Sequence, residues 1–392
     1  MSAPVRGPSP IGGAGRGPAV HPARHFPYCR GMPRRSATML AATLLLIGLL
    51  CASVLFKVPF TEMSPGPTYN TLGVQDKTGT PVITITGHET YPTSGHLNMT
   101  TVQVTGANYQ PSLVSAIVGW IRDDVLVVPH DNVYPQGQTD QEAQQENAEQ
   151  FASSEDSAKT AALKQLDIPV GTEVIVSAVT AGGPSEGKLH AGDQIVAVDG
   201  VAITDRAQVA EQVTRHQPGE TVVFTVVPHA KASATPDPAD EVQVPVVTAR
   251  SEDDGPERAV VGITPSVDHV YPFKIDIGLQ DVGGPSAGLM FALGIVDKLT
   301  PTDLTGGKFV AGTGTIDDDG AVGPIGGIQM KLIAARDKGA EYFFTPADNC
   351  AEASKGTPSG LTLVKVENLD GAVKALDSIR SGDGAALPSC GK

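Results

Sequence analysis

No histidine follows His269 in this 392-residue chain, none of its nine histidines forms an H-E-x-x-H run, and only four cysteines occur. The spacing of Cys29, Cys51, Cys350 and Cys390 fits no zinc-ligand pattern, so neither an H-E-x-x-H metallohydrolase nor a structural metal site is expected, and no cofactor is called for. Acidic residues are missing from the first 36 positions, which carry six arginines; the remainder sets 22 basic against 43 acidic residues, a net of about −21. An acidic body repels phosphate backbones, which argues against nucleic acid as a partner.

One uncharged run stands out, "ATMLAATLLLIGLLCASVLF", residues 37–56. As a helix it would rise ~30 Å and match the hydrocarbon core of a bilayer. Arginines before it and Lys57 alone after it predict a single-pass cell-membrane protein with its N-terminus cytoplasmic and the C-terminal part outside the cytoplasm. A cleaved signal peptide is the rival reading, but the run exceeds the usual apolar length and no A-x-A site follows. Cys51 follows Leu50, too large for a typical lipobox, and reads as a cysteine within the helix. Residues 1–36 read as a disordered basic leader rich in Pro and Gly, with Met32 an alternative start.

After the span, "PVITITG" and "HLNMTTVQV" have strand character, 111–121 reads as a helix, and 139–166 has neither Gly nor Pro and starts at a capping Thr139. It predicts one or two helices leading into the next domain. From Val170 the pattern turns to β, with "TEVIVSAV", "DQIVAVDG", "ETVVFTVV" and "EVQVPVVTA" separated by turns and one helical stretch, 205–216. The phrase "GGPSEGKLHAGDQIVAVDGVAI" resembles PDZ domains in Leu189, Gly192, Asp193, Ile195, Val198 and Gly200. That resemblance implies capture of a peptide strand at a sheet edge, with 166–171, "LDIPVG", as the loop matching the family's carboxylate-binding turn. Within this stretch, 182–188 satisfies G-x-x-x-x-G-K, yet the next residue is Leu189 rather than Ser or Thr and Pro184 removes a donor, so no nucleotide is expected.

The run "GGPSAG", 283–288, fits the nucleophile-elbow pattern, but an α/β-hydrolase needs its histidine downstream and none exists there. Lysine is the chemical alternative, and it must be held neutral by burial or a cationic neighbour. Of the eight lysines beyond Ser286, seven sit beside charged, turn, strand-edge or terminal residues. Lys331 lies in "IGGIQMKLIAARDKGA", a helix with an apolar face entered through a Gly-Gly turn. On these residues alone a surface lysine remains the open alternative. Pro285 suits a first helical turn continued by "SAGLMFALGIV", which would give Ser286 and Ala287 free N–H groups for an oxyanion, with Gly284 leaving room for a substrate backbone.

The stretch from Gly283 to Cys350, with P-S-A-G and G-x-V-x-P-I-G-G-x-x-x-K, resembles the proteolytic domain of the Lon family. With a span and a PDZ-like unit in front, the chain resembles the membrane-anchored, PDZ-containing Lon-like proteins of bacteria. The resemblance implies Ser286 as nucleophile, Lys331 as general base, and Thr313, in "AGTGTI", as a threonine bonded to the lysine. ATP-dependent members often carry Asp where this chain has Gly283, and without an AAA+ module the implied substrates are unfolded or flexible polypeptides. A homohexamer is the implied assembly.

The expected architecture is α+β. It comprises the leader 1–36, a transmembrane helix 37–56, and an extracytoplasmic segment 57–165 packing with the protease. A β-rich PDZ-like domain (166–250), a linker (251–257) and a Lon-type α/β proteolytic domain (258–385) follow. Because "SGHLNMTTVQV" resembles the opening strands of the Lon fold, the PDZ-like unit is a candidate insertion in the protease. In an oxidising compartment Cys350 and Cys390 are expected to pair. The competing function is a catalytically inactive PDZ-containing chaperone or adaptor.

Overall fold

The computed structural model describes residues 34–75, 78–231, 237–251, 257–279 and 282–391; the expected leader falls almost wholly outside them, as does most of the expected linker. The chain divides into two units, 1–53 and 54–392. In the first runs helix α1, Arg34–Leu55, beginning three residues before the uncharged run. Its exposed stretch Arg35–Leu55 has a mean hydropathy of 2.4, long and apolar enough to cross a membrane by length and composition.

The second unit opens with β1 (Phe60–Asn70), β2 (Ile83–Thr86) and β3 (His96–Val104). Pro65 and Pro67 cannot donate to a ladder, and the β1–β3 register slips between Pro65 and Thr68. Helix α2 (Leu113–Ile121) is capped by Ser112, whose hydroxyl accepts from the Ser115 N–H. Strand β4 (Leu126–Pro129) pairs back onto β1. Then comes α3, Asp140–Gln165, a single 26-residue helix started by a reciprocal Thr139–Glu142 capping box.

The β-rich segment follows with β5 (Gly171–Val179), β6 (Gln194–Val198), β7 (Val201–Ala202), α4 (Arg206–Val213), β8 (Thr221–Val227), β9 (Val242–Val247), β10 (Ala249–Arg250), β11 (Ala259–Val260) and β12 (Ile263–Val270). Its main sheet runs β12-β5-β6-β8-β9 and closes over its own core, which includes Val174, Leu189, Ile195, Val209 and Phe224. Residues from 258 onward were expected in the proteolytic domain. Instead β12 pairs with β5 from Ile263↔Val179 to Val270↔Gly171, because its alternate residues continue that sheet.

The chain then returns through β13 (Lys274–Ile277), which pairs with β2, to α5 (Gly288–Leu299), β14 (Phe309–Gly312), β15 (Thr315–Ile316), β16 (Val322–Gly323), α6 (Ile328–Asp337), β17 (Tyr342–Pro346), α7 (Cys350–Ala353), β18 (Thr362–Val366) and α8 (Leu369–Ser381). The second main sheet has the order β18-β17-β14-β3-β1-β4. Strand β3 therefore lies parallel beside β14, so strands from before the PDZ-like segment and strands from after it share one sheet. The insertion leaves from α3 and returns through β13. At this junction His269 donates from Nδ1 to Asp156 of α3 (2.6 Å) while Nε2 lies 3.3 Å from Asp318.

Helix α5 is apolar on all sides and buried from Leu289 to Val296, between α3, the sheet and α8. Phe151 of α3 meets Phe291 of α5 edge-on at 5.7 Å. Cys350 and Cys390 form a disulfide that holds the C-terminal tail to α7, while Cys51 in α1 is a free, exposed thiol.

Candidate active site

The serine loop is fixed from two directions. Gly284, at φ +82°, donates its N–H to the Asn147 carbonyl on α3 (2.8 Å), and Ser154 on the same helix donates its hydroxyl to the Pro285 carbonyl (2.9 Å). From the other side the Ser286 carbonyl accepts the Gly314 N–H and the Thr313 hydroxyl, both at 2.9 Å. This changes where the helix begins. Pro285 was expected to open α5, but the Ser286 carbonyl that Met290 would use is already occupied, so the Met290 N–H bonds to Ala287 and the helix starts at Gly288.

Ser286 thus sits in a turn just ahead of a helix. Among the described residues, no acceptor takes the N–H of Ser286 or Ala287. Two clefts meet at the serine. One of about 300 Å³ runs past Tyr69, Met99 and Val102 of β1 and β3, and one of about 350 Å³ past Thr315, Pro324 and Ile325.

Lys331 arrives from α6. Gly327, in the left-handed region at φ +67°, starts that helix, and Ile328, Leu332 and Ala335 pack with Ala311 and Phe343. This packing leaves Lys331 1% exposed. Its Nζ stands 2.7 Å from Ser286 Oγ and 2.8 Å from Thr313 Oγ1. Burial lowers its pKa from 10.5 to about 7. Thr313 joins the two halves, accepting from the lysine while donating to the serine's own carbonyl.

The expected residues Ser286, Lys331, Thr313, Ala287 and Gly284 therefore converge. The surface alternative for Lys331 is ruled out by its burial. His269 is engaged by the two aspartates at the junction instead of by the serine. Asn147 and Ser154 were missed. The available signal was the inward stripe Phe151, Ser154, Ala158, Ala161 on a helix otherwise crowded with exposed Glu and Gln.

One other expectation shifts. Segment 166–171 was to be the carboxylate-binding turn, but Leu166, Ile168 and Val170 pack against the main core as α3 ends, because the helix must hand over to β5 at that point. The groove of the β-rich unit, about 530 Å³, lies instead between α4 and the 258–265 stretch, lined by Val209, Val213, Val261 and Ile263. The G-x-x-x-x-G-K stretch has its donors spent locally: Gly182 N–H goes to Glu186, Gly183 to Thr180, and Lys188 to Ser185. Among the described residues, no cluster of three or more His, Cys, Asp or Glu could hold a metal.

Residues 275–376 match the family of Lon protease (S16) C-terminal proteolytic domains, and residues 144–233 match the PDZ domain family. The chain carries a Lon-type proteolytic domain and a PDZ domain. The Lon protease of Phenylobacterium zucineum (strain HLK1) is 33% identical over 128 residues, 31% of this chain and 16% of that protein. Lon protease 1 of Bacillus subtilis (strain 168) is 31% identical over 115 residues, 28% of this chain and 15% of that protein. The likeness thus spans about a sixth of each relative's length. The PDZ domain of an SdrC-like protein from Listeria monocytogenes is 22% identical, covering 24% of this chain and 86% of that one at a TM-score of 0.19. In the Lon-type domain β3 lies beside β14 with β1 on its other side, the lysine stands on α6 against β1 and β3, and the serine precedes α5, which packs on β3.

Proposed function

We propose that this chain is a membrane-anchored serine endopeptidase that cleaves unfolded or flexible polypeptides without ATP. The observation that carries the reading is a buried lysine, with a pKa near 7, in hydrogen-bond contact with a loop serine. Neutral Lys331 accepts the Oγ proton as Ser286 attacks the scissile carbonyl, forming the C–O bond. The N–H groups of Ser286 and Ala287 stabilise the oxyanion. Collapse breaks the C–N bond, and the Lys331 ammonium returns its proton to the departing amine. Water, deprotonated by the same lysine, then hydrolyses the acyl-enzyme and regenerates the hydroxyl. The contact already present at 2.7 Å supports ATP independence, since no nucleotide-driven step is needed to assemble it.

The test is incubation of the full chain in detergent with an unfolded protein, without nucleotide, beside Ser286→Ala and Lys331→Ala variants. Wild type should cleave and both variants should lose at least about 10³-fold. Cleavage surviving both substitutions would overturn the dyad. A chain that binds the substrate and never cuts it would favour the adaptor reading.

Substrate recruitment by the PDZ domain is the finer part of this proposal. Strand β12 ends the sheet, and the groove beside its outer edge has apolar walls from Val209, Val213 and Ile263. A peptide adding to that edge would place its terminal carboxylate at the turn of Val261 and Gly262. Val213→Lys is expected to raise KM several-fold for substrates with a free C-terminus and to leave kcat unchanged; an equal loss in both parameters would remove the recruiting role. The α1 span, an extracytoplasmic body and a ring of six copies complete the reading. The disulfide supports the placement, because such bonds persist in oxidising compartments.

A further inference from the structure

Four of the five residues that end α2 are large, apolar and solvent-facing: Ile117 is 42% exposed, Val118 48%, Trp120 56% and Ile121 78%. At 100° per residue these four fall within one half of the helix circumference, and α2 contains no charge. The opposite side is the seated one. Ala116 and Gly119 are buried, and a Cβ on Gly119 would come within 2.6 Å of Val127, so the helix is pressed onto β4 with its apolar remainder turned outward. Elsewhere among the described residues of this unit, exposed large apolar side chains are mostly isolated valines.

The patch has an address. The Leu113 N–H bonds to the Phe56 carbonyl (2.8 Å) and the Val58 N–H to the Pro111 carbonyl (3.1 Å), so the start of α2 is sewn to the residues that directly follow the span. Leu55 and Phe56 there are themselves 79% and 65% exposed. Trp120 is held edge-on against Phe60 at 5.3 Å, and Lys57 stands over the Tyr109 ring at 5.9 Å. An apolar face, a tryptophan and a tyrosine, with Lys57 at one end and Arg122, paired to Asp124 at 2.6 Å, at the other, is a side-chain set that settles at the level of lipid headgroups.

We propose that α2 lies in the bilayer interface beside the exit of α1, its Ile117, Trp120 and Ile121 entering the headgroup and acyl boundary of the membrane to which the chain is tethered. The proposal rests on the anchor reading. Tethering supplies a high local concentration of lipid surface, so a patch too small to bind vesicles by itself is sufficient. Two contacts in place of one would fix how the serine cleft stands over the membrane.

Trp120 is the chain's single tryptophan and reports on the site directly. The full chain is reconstituted into phosphatidylcholine–phosphatidylglycerol vesicles containing lipids brominated on the acyl chain near the headgroup. Bromolipids should quench the emission about two-fold or more and acrylamide should have little effect, and Ile117→Ser with Ile121→Ser should relieve most of the bromolipid quenching. A chain that resists alkaline carbonate extraction, yet shows Trp120 quenched by acrylamide and not by bromolipid, overturns the docking and leaves the anchor standing. Shielding from both quenchers, lost on dilution of protein in lipid, overturns it in favour of a second copy covering the face. Extraction by carbonate overturns the anchor, and takes the docking with it if bromolipid quenching is absent.

Discussion

Lys331 is held where an ammonium ion is costly. Its pKa falls from 10.5 to about 7 through burial, so the proposed general base is charged below neutrality and free above it. Log kcat/KM is therefore expected to rise with unit slope up to about pH 7 and to level off above it, measured on an unstructured peptide. Stability carries the same sign. Between pH 7 and 10.5 the unfolded chain holds a proton that the folded one lacks, so this group makes stability rise with pH across that window and costs most below it. Lys331→Met should be inactive yet more stable, with a gain at pH 6 exceeding that at pH 10 by on the order of 3 kcal/mol. Urea unfolding at the two values checks it; a gain independent of pH would place the lysine outside the titrating site.

At the level of elements, the junction of α3, α5 and the 313–316 segment decides whether the serine is aimed. A Cβ on Gly288 would lie 2.8 Å from both Ile316 Cγ2 and Ser154 Oγ, so the start of α5 is as close to its neighbours as backbone permits. Gly288→Ala is expected to cost about 1–3 kcal/mol in stability and to lower kcat by more than that loss explains, measured by urea titration and turnover at a temperature where the variant is folded. Much of this region was legible beforehand. The Gly-Gly turn and the buried apolar run of α5 are local patterns that motif and periodicity reveal, whereas the pairing of Ser286 with Lys331 followed from the resemblance to the Lon family. The late start of α5 was not legible, because it depends on which carbonyl Thr313 reaches across 27 residues, with Gly314 beside it. The place of β12 was hidden for the same reason: a strand with alternating pattern says which face is buried and not which neighbour it pairs with. Asn147 and Ser154 act through a helix whose outward face is so polar that its inward stripe is easily overlooked.

For the whole molecule, the C-terminal tail is tied back by the Cys350–Cys390 bond across a separation of 40 residues. Closing a loop of that size restricts the unfolded chain, and Cys390→Ser is expected to reduce unfolding free energy by about 2–4 kcal/mol. Ser286 and Lys331, the proposed dyad, lie on other elements, so turnover at low temperature should be preserved. A reductant should lower the melting temperature of wild type and leave the variant unmoved; equal effects on both would mean the bond contributes nothing to stability.

The PDZ domain is joined to the rest of this unit at two ends that converge on one loop. Upstream is α3, which grips Gly284 and Pro285 through Asn147 and Ser154; downstream, β12 leads by way of β13 into that same loop, with His269 clasped between Asp156 and Asp318. An excision of the domain would therefore cut both handles of the serine loop as well as the groove. Truncations across this junction would yield dead protein whatever the PDZ domain does, so its contribution has to be sought by point changes within the groove, with the frame around the serine left whole.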